Sequence, residues 1–108
     1  MAINPFSGKI ALVTGAASKR GMGHAVALRL AAGGTDVAIL DKDPAPRSLF
    51  TGDEGWRGLD EGVEEIKAMG REVLALTADV SNSDEAKEAV GKVLKKFGRI
   101  DIFVHCAA

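Results

Sequence analysis

Four short apolar runs alternate along the chain with stretches of helical periodicity. The first, Ile10 to Val13, stops at Thr14 and Gly15, and residues 8–14 are predicted as a strand. Val37 to Leu40 within Asp36–Asp41, Val73 to Leu76 within Glu72–Ala78, and Ile102 to Val104 within Ile100–Cys106 repeat the pattern. Runs this short and continuously apolar predict strands covered on both faces, as in a parallel sheet.

Between the runs the apolar spacing changes to three and four. Residues 22–32 carry Val26, Leu28, Leu30 and Ala31 ahead of Gly33 and Gly34, and residues 59–69 place Val63, Ile66 and Lys67 near one face ahead of Gly70. A third helix carries Ala86, Ala89, Val90, Val93, Leu94 and Phe97 up to Gly98, with Ser81 or Ser83 as its cap. The terminal glycines are natural stops because they tolerate positive φ. Lys42 to Gly58 shows no sustained period and contains Pro44, Pro46, Gly52, Gly55 and Gly58, which predicts a long loop with Phe50 and Trp56 as its ordering residues. The sum is β-α-β-α-β-α-β, an α/β unit with a parallel sheet and right-handed crossovers.

Composition narrows the function. At 108 residues, 1–108 is expected to be one domain, and 14 basic against 15 acidic side chains give no pull toward nucleic acid or an anionic membrane. No window is long and apolar enough to cross a bilayer, and Met1 to Gly8 has no charged stretch followed by an apolar run, so the expected location is the cytoplasm. The single cysteine, Cys106, can close no intramolecular disulfide and has no second thiol for a zinc site, so no metal site is expected and its role is packing.

The candidate chemistry lies between the first strand and the first helix. Thr14, Gly15, Ala16, Ala17, Ser18, Lys19, Arg20, Gly21, Met22 and Gly23 form a glycine-rich turn where a βαβ unit receives a dinucleotide's pyrophosphate. The helix starting near Met22 offers free backbone N–H groups and the positive end of its dipole. Gly15 takes the turn off the strand, while Gly21 and Gly23 are expected to let a phosphate approach closely. Asp41 closes the second strand about 20 residues after Gly21, placed to accept hydrogen bonds from the adenosine ribose and to repel a 2′-phosphate. That favours NAD, whereas Lys19, Arg20 and Lys42 are cations able to pair with the 2′-phosphate of NADP, so NADP stays open.

This loop, Asp79 and Val80 after the third strand, and Phe97, Gly98, Arg99, Ile100 and Asp101 ahead of the fourth together resemble the short-chain dehydrogenase/reductase family over essentially the whole chain. The resemblance implies a three-layer Rossmann-like half domain, about four strands in order 3-2-1-4 with helices on both faces. It also implies that Asp79 bonds the adenine amino group and that the backbone of Val80 touches the same ring.

Two positions depart from the family pattern. The phosphate loop has two residues more than the usual TGxxxGxG, and His105, Cys106, Ala107 and Ala108 stand where the family has Asn, Asn, Ala and Gly. His105 and Cys106 are not assigned as a nucleophile and base, because adjacent strand residues face opposite sides.

Family members transfer a hydride between a nicotinamide and an alcohol or carbonyl, using a Ser and a Tyr-x-x-x-Lys pair after the fourth strand. These 108 residues contain no tyrosine, so no catalytic residue is assigned. The leading expectation is a nicotinamide dinucleotide-binding module, truncated before the catalytic residues and inactive alone. One alternative is part of an oxidoreductase completed by a further region or another chain. The other is a non-catalytic protein that self-associates through the apolar edge of residues 100–106, and a homo-oligomer through that edge is expected in either case.

Overall fold

The computed structural model describes residues 6–45 and 55–106. Seven elements follow in the expected alternation: β1 (Ile10–Thr14), α1 (Met22–Ala32), β2 (Asp36–Asp41), α2 (Leu59–Ala68), β3 (Val73–Thr77), α3 (Ser83–Phe97) and β4 (Ile102–His105). All strand pairs are parallel and the order is β3-β2-β1-β4. Thr14 lies opposite Leu40 on one side and His105 on the other, and Asp41 opposite Thr77. The C-terminal ends of all four strands therefore share one edge of the sheet.

The unbroken apolar runs are explained by two separate cores. Ala11 and Val13 of β1, with Val37 and Ile39 of β2, pack against Ala27, Leu30 and Ala31 of α1 and Leu59 and Ile66 of α2. Leu12, Ala38, Leu40 and Leu76 face the other way, onto Ala89 and Val93 of α3. Successive strand residues point to opposite faces, so a strand covered on both must be apolar at every position. Val13, Ile39 and Val93 have essentially no exposed surface, and each such side chain contributes about 1.5–3 kcal/mol through burial.

The element ends show what local chemistry decides. The α3 cap is Asn82, not Ser81 or Ser83: its Oδ1 accepts from the amides of Asp84 (3.0 Å) and Glu85 (3.1 Å). Ser81 is committed elsewhere, donating its amide and hydroxyl to Asp79. In α2 the buried positions are Leu59, Gly62 and Ile66, and Lys67 points to solvent. Gly58, which precedes α2, has φ +67°, and a Cβ there would lie 1.9 Å from the Pro44 carbonyl oxygen. The Leu59 amide donates to that same oxygen at 2.8 Å, joining the two ends of the predicted loop. Phe50 lies outside the described residues.

Before β4, Asp101 accepts from the Ile10 amide at 2.9 Å and from Arg99 Nε at 2.9 Å, while Arg99 Nη2 donates to the Gly8 carbonyl at 2.6 Å. This staple fixes β4 beside β1 at the edge remote from the strand C-termini. The Ile10 amide holds the Asp101 carboxyl below the usual carboxylate range, with Arg99 adding to the effect and desolvation opposing it.

Candidate functional site

The strand C-termini open onto a cleft of about 990 Å³. Its walls come from the turn after β1, from Asp41 and Lys42 after β2, from Asp79 and Val80 after β3, and from Phe103, His105 and Cys106 at β4. Every loop that follows a strand thus contributes, which is where the switch point of a doubly wound sheet puts its ligand site.

Of the residues expected from sequence, Gly15, Ser18, Gly21, Met22, Asp41, Lys42, Asp79 and Val80 border this cleft. Lys19 and Arg20 are exposed and stand outside its lining. Gly15 has φ +69°, the left-handed turn expected of it. Gly23 has a different reason to be glycine from the one expected. A Cβ there would lie 2.4 Å from the Gly15 carbonyl oxygen and 2.9 Å from that of Thr14, so its missing side chain lets α1 sit against the end of β1. A Cβ on Gly21 would meet only Ser18, at 3.2 Å from its Cβ and 3.3 Å from its carbonyl oxygen.

The helix starts differ in how their amides are served. Asn82 caps α3, whose first turn also carries Asp84 and Glu85. The first turn of α2 carries Asp60 and Glu61. By contrast, α1 has Gly21 as its N-cap, no side-chain cap and no acid in its first turn. Among the described residues, α1 therefore starts with no side-chain acceptor or acid against its positive end, at the rim formed by Gly21 and Met22.

The strand-end acids are both engaged. Asp41 Oδ2 accepts from the Ala17 amide at 3.0 Å and Oδ1 from the Asp43 amide at 3.3 Å, so this acid borders the cleft and also pins the glycine-rich loop to β2. Asp79 Oδ1 accepts from the Ser81 hydroxyl (2.6 Å) and amide (2.9 Å). The Ser81 hydroxyl, then its amide, hold the Asp79 carboxyl below its ordinary value, and nearby Lys42 adds a smaller pull against the opposing effect of desolvation. The Asp79 carboxyl is thus held as the anion at neutral pH, offering acceptors only.

At β4 the Thr14 hydroxyl lies 2.9 Å from His105 Nδ1 and accepts from the Cys106 amide at 3.2 Å. The Thr14 hydroxyl thus ties the His105 ring and the Cys106 backbone to the end of β1. Cys106 lies one residue past β4, and both it and His105 border the cleft, so strand alternation does not separate them. Thr14 stands between them.

Two residues organise the far side of the loop: Trp56, expected only to order its own segment 42–58, and His24, which the sequence reading did not single out. Trp56 Nε1 donates to the Ala17 carbonyl at 2.7 Å. His24, on the first turn of α1, sets Nδ1 2.9 Å from the Lys19 carbonyl and Nε2 3.0 Å from Glu65 Oε1 of α2. Both partners are acceptors, so the doubly protonated ring satisfies both contacts and the neutral ring only one. The rings of His24 and Trp56 meet edge to face at 5.0 Å. The available signal was a histidine placed on the buried face of α1 directly after the loop.

Known proteins match this geometry and sequence. The profile of the family described as short chain dehydrogenase matches residues 9–108. Cyclohexanol dehydrogenase of Rhodococcus sp. (strain TK6) is 41% identical over 100 residues, covering 93% of this chain and 36% of its own length. A short chain dehydrogenase of Mycobacterium thermoresistibile superposes with a TM-score of 0.80 at 31% identity, covering 95% of this chain and 34% of that one. Carveol dehydrogenase of Mycobacterium avium, solved in complex with NAD, superposes with a TM-score of 0.76 at 30% identity, covering 94% of this chain and 36% of that one. The chain thus spans about a third of the length of the relatives it matches. With the matched profile, the parallel order β3-β2-β1-β4 and the glycine-rich turn in one chain, the protein belongs to the short-chain dehydrogenase family of NAD(P)-dependent oxidoreductases.

Proposed function

We propose that this chain supplies the dinucleotide-binding part of an alcohol- or carbonyl-converting oxidoreductase, with NAD as its preferred ligand. The observation that carries the reading is the start of α1, uncapped and free of acids, opening on a cleft whose opposite rim holds Asp41 and Asp79. The pyrophosphate belongs at Gly15, Ser18, Gly21 and Met22, where amides and the helix dipole favour an anion. The adenosine belongs between Asp41, Asp79 and Val80. Asp41 disfavours the extra phosphate of NADP by like charge, and Lys42 beside it is the one expected cation that also borders the cleft.

When bound, the nicotinamide supplies hydride transfer. The residues here bind and orient it. With no tyrosine in the sequence, the proton transfer that the family performs with Tyr-x-x-x-Lys is assigned to none of the 108 residues, and these residues alone are expected to bind without turnover. Calorimetric titration with NAD, NADP and AMP tests the reading. Binding of NAD tighter than NADP is expected. No detectable binding of any of the three rejects the dinucleotide site, and tighter binding of NADP rejects the part given to Asp41.

We also propose that these residues self-associate along β4, the outer strand of the described sheet, on which Phe103 is 63% exposed. An open apolar strand edge is a template for pairing with a second copy. Sedimentation that finds a stable monomer at high concentration overturns this.

A further inference from the structure

The phosphate loop is two residues longer than the family's usual turn, and a longer loop has more backbone to orient. Its carbonyls are held from behind. Ala17 and Lys19 turn theirs to the α1–α2 side, where Trp56 Nε1 and His24 Nδ1 meet them at 2.7 and 2.9 Å. In a trans peptide the carbonyl of one residue and the amide of the next point in opposite directions. Fixing the Ala17 carbonyl therefore aims the amide of Ser18, a residue bordering the cleft, away from the helices. Fixing the Lys19 carbonyl likewise turns the amide of Arg20 away from the helices, although Arg20 itself stands outside the cleft lining.

Trp56 belongs to the segment between β2 and α2, and the described ends of that segment are anchored. Its neck closes where the Leu59 amide meets the Pro44 carbonyl at 2.8 Å, and Arg57, next to Trp56, pairs with Glu61 (3.1 Å) and Glu64 of α2. Glu65 of the same helix holds the other nitrogen of His24.

We propose that Trp56 and His24 are positioning residues for the dinucleotide: they hold the loop carbonyls against α1 and α2, present the loop amides to the phosphates, and make affinity depend on the segment after β2. The inference rests on the dinucleotide reading above. Neither residue borders the cleft, which is why their role is positioning.

The test compares the full chain with its Trp56→Phe variant, which keeps an aromatic ring beside His24 and loses the N–H donor along with the second ring of the indole. Dissociation constants are measured for NAD and for adenosine, which has no phosphates, and thermal unfolding is recorded for both proteins. The loss of one half-buried hydrogen bond predicts NAD binding weakened about fivefold with adenosine binding changed less than about twofold. Unchanged NAD affinity, or an equal loss for both ligands, overturns the proposal. Wild-type protein that binds neither ligand rejects the dinucleotide reading itself, and the inference with it.

A second measurement uses unmodified protein and so does not depend on the variant folding. Trp56 is the only tryptophan, and its acrylamide quenching is expected to fall about twofold at saturating NAD as the loop it anchors tightens. Quenching that ignores saturating NAD overturns the proposal.

Discussion

Replacing Gly23 by alanine tests the packing that shapes the site. The added Cβ meets three backbone atoms at the end of β1: the Gly15 carbonyl oxygen at 2.4 Å, its carbon at 2.8 Å and the Thr14 oxygen at 2.9 Å. No rotamer change relieves such contacts, so α1 must back away from β1 by about 1 Å, loosening Ala27, Leu30 and Ala31 on Ala11 and Val13. Overpacking of this kind costs about 3 kcal/mol at its upper end. Alanine in a helix recovers up to about 1 kcal/mol over glycine, leaving a net loss of about 2 kcal/mol. For a domain of this size that lowers Tm by about 10 °C. Gly91 in α3 is the matched control, because nothing lies within 4 Å of its would-be Cβ. There the propensity term acts alone, and Gly91→Ala is expected to raise Tm by about 5 °C. Thermal unfolding by circular dichroism reads both variants. A Gly23→Ala protein at least as stable as wild type would refute the close seating of α1 on the end of β1.

Two further substitutions test other joints. Asn82→Ala removes the acceptor for the Asp84 and Glu85 amides and is expected to cost about 1 kcal/mol in urea unfolding; no change would mean that α3 is not held by this cap. Asp101 has its carboxyl lowered in the fold, so as pH falls the unfolded chain takes the proton first. Its contribution is complete above the ordinary carboxylate value and is lost as pH falls through the lower folded one. Asp101→Asn is therefore expected to flatten the acid limb of the stability profile, and an unaltered acid limb would remove the staple to Ile10 and Arg99 from the account.

The elements were legible because burial on both faces of β1 and β2 leaves short, continuously apolar runs between segments of helical period, whereas the strand order was implied by the family resemblance and not by the runs themselves. Element ends were less so. Asn82 won the cap of α3 from its serine neighbours by reaching two amides at once while Ser81 turned to Asp79. The residues walling the cleft were legible where they close or follow strands in sequence, as Asp41 closes β2 and Gly15 and Asp79 follow β1 and β3. The roles of Gly23 and Trp56 were not. One depends on how closely a helix approaches a strand, and the other on a loop returning across 39 residues to the Ala17 carbonyl. No local pattern encodes either distance.

The central claim is that the start of α1 receives the dinucleotide's phosphates, and amide chemical shifts of the ¹⁵N-labelled chain during a titration with NAD test it most directly. The account predicts the largest changes at the amides of Ser18, Gly21, Met22 and Gly23, with smaller ones around Asp41, Asp79 and Val80. Changes that spare the Ser18–Gly23 turn while NAD binds elsewhere would contradict it.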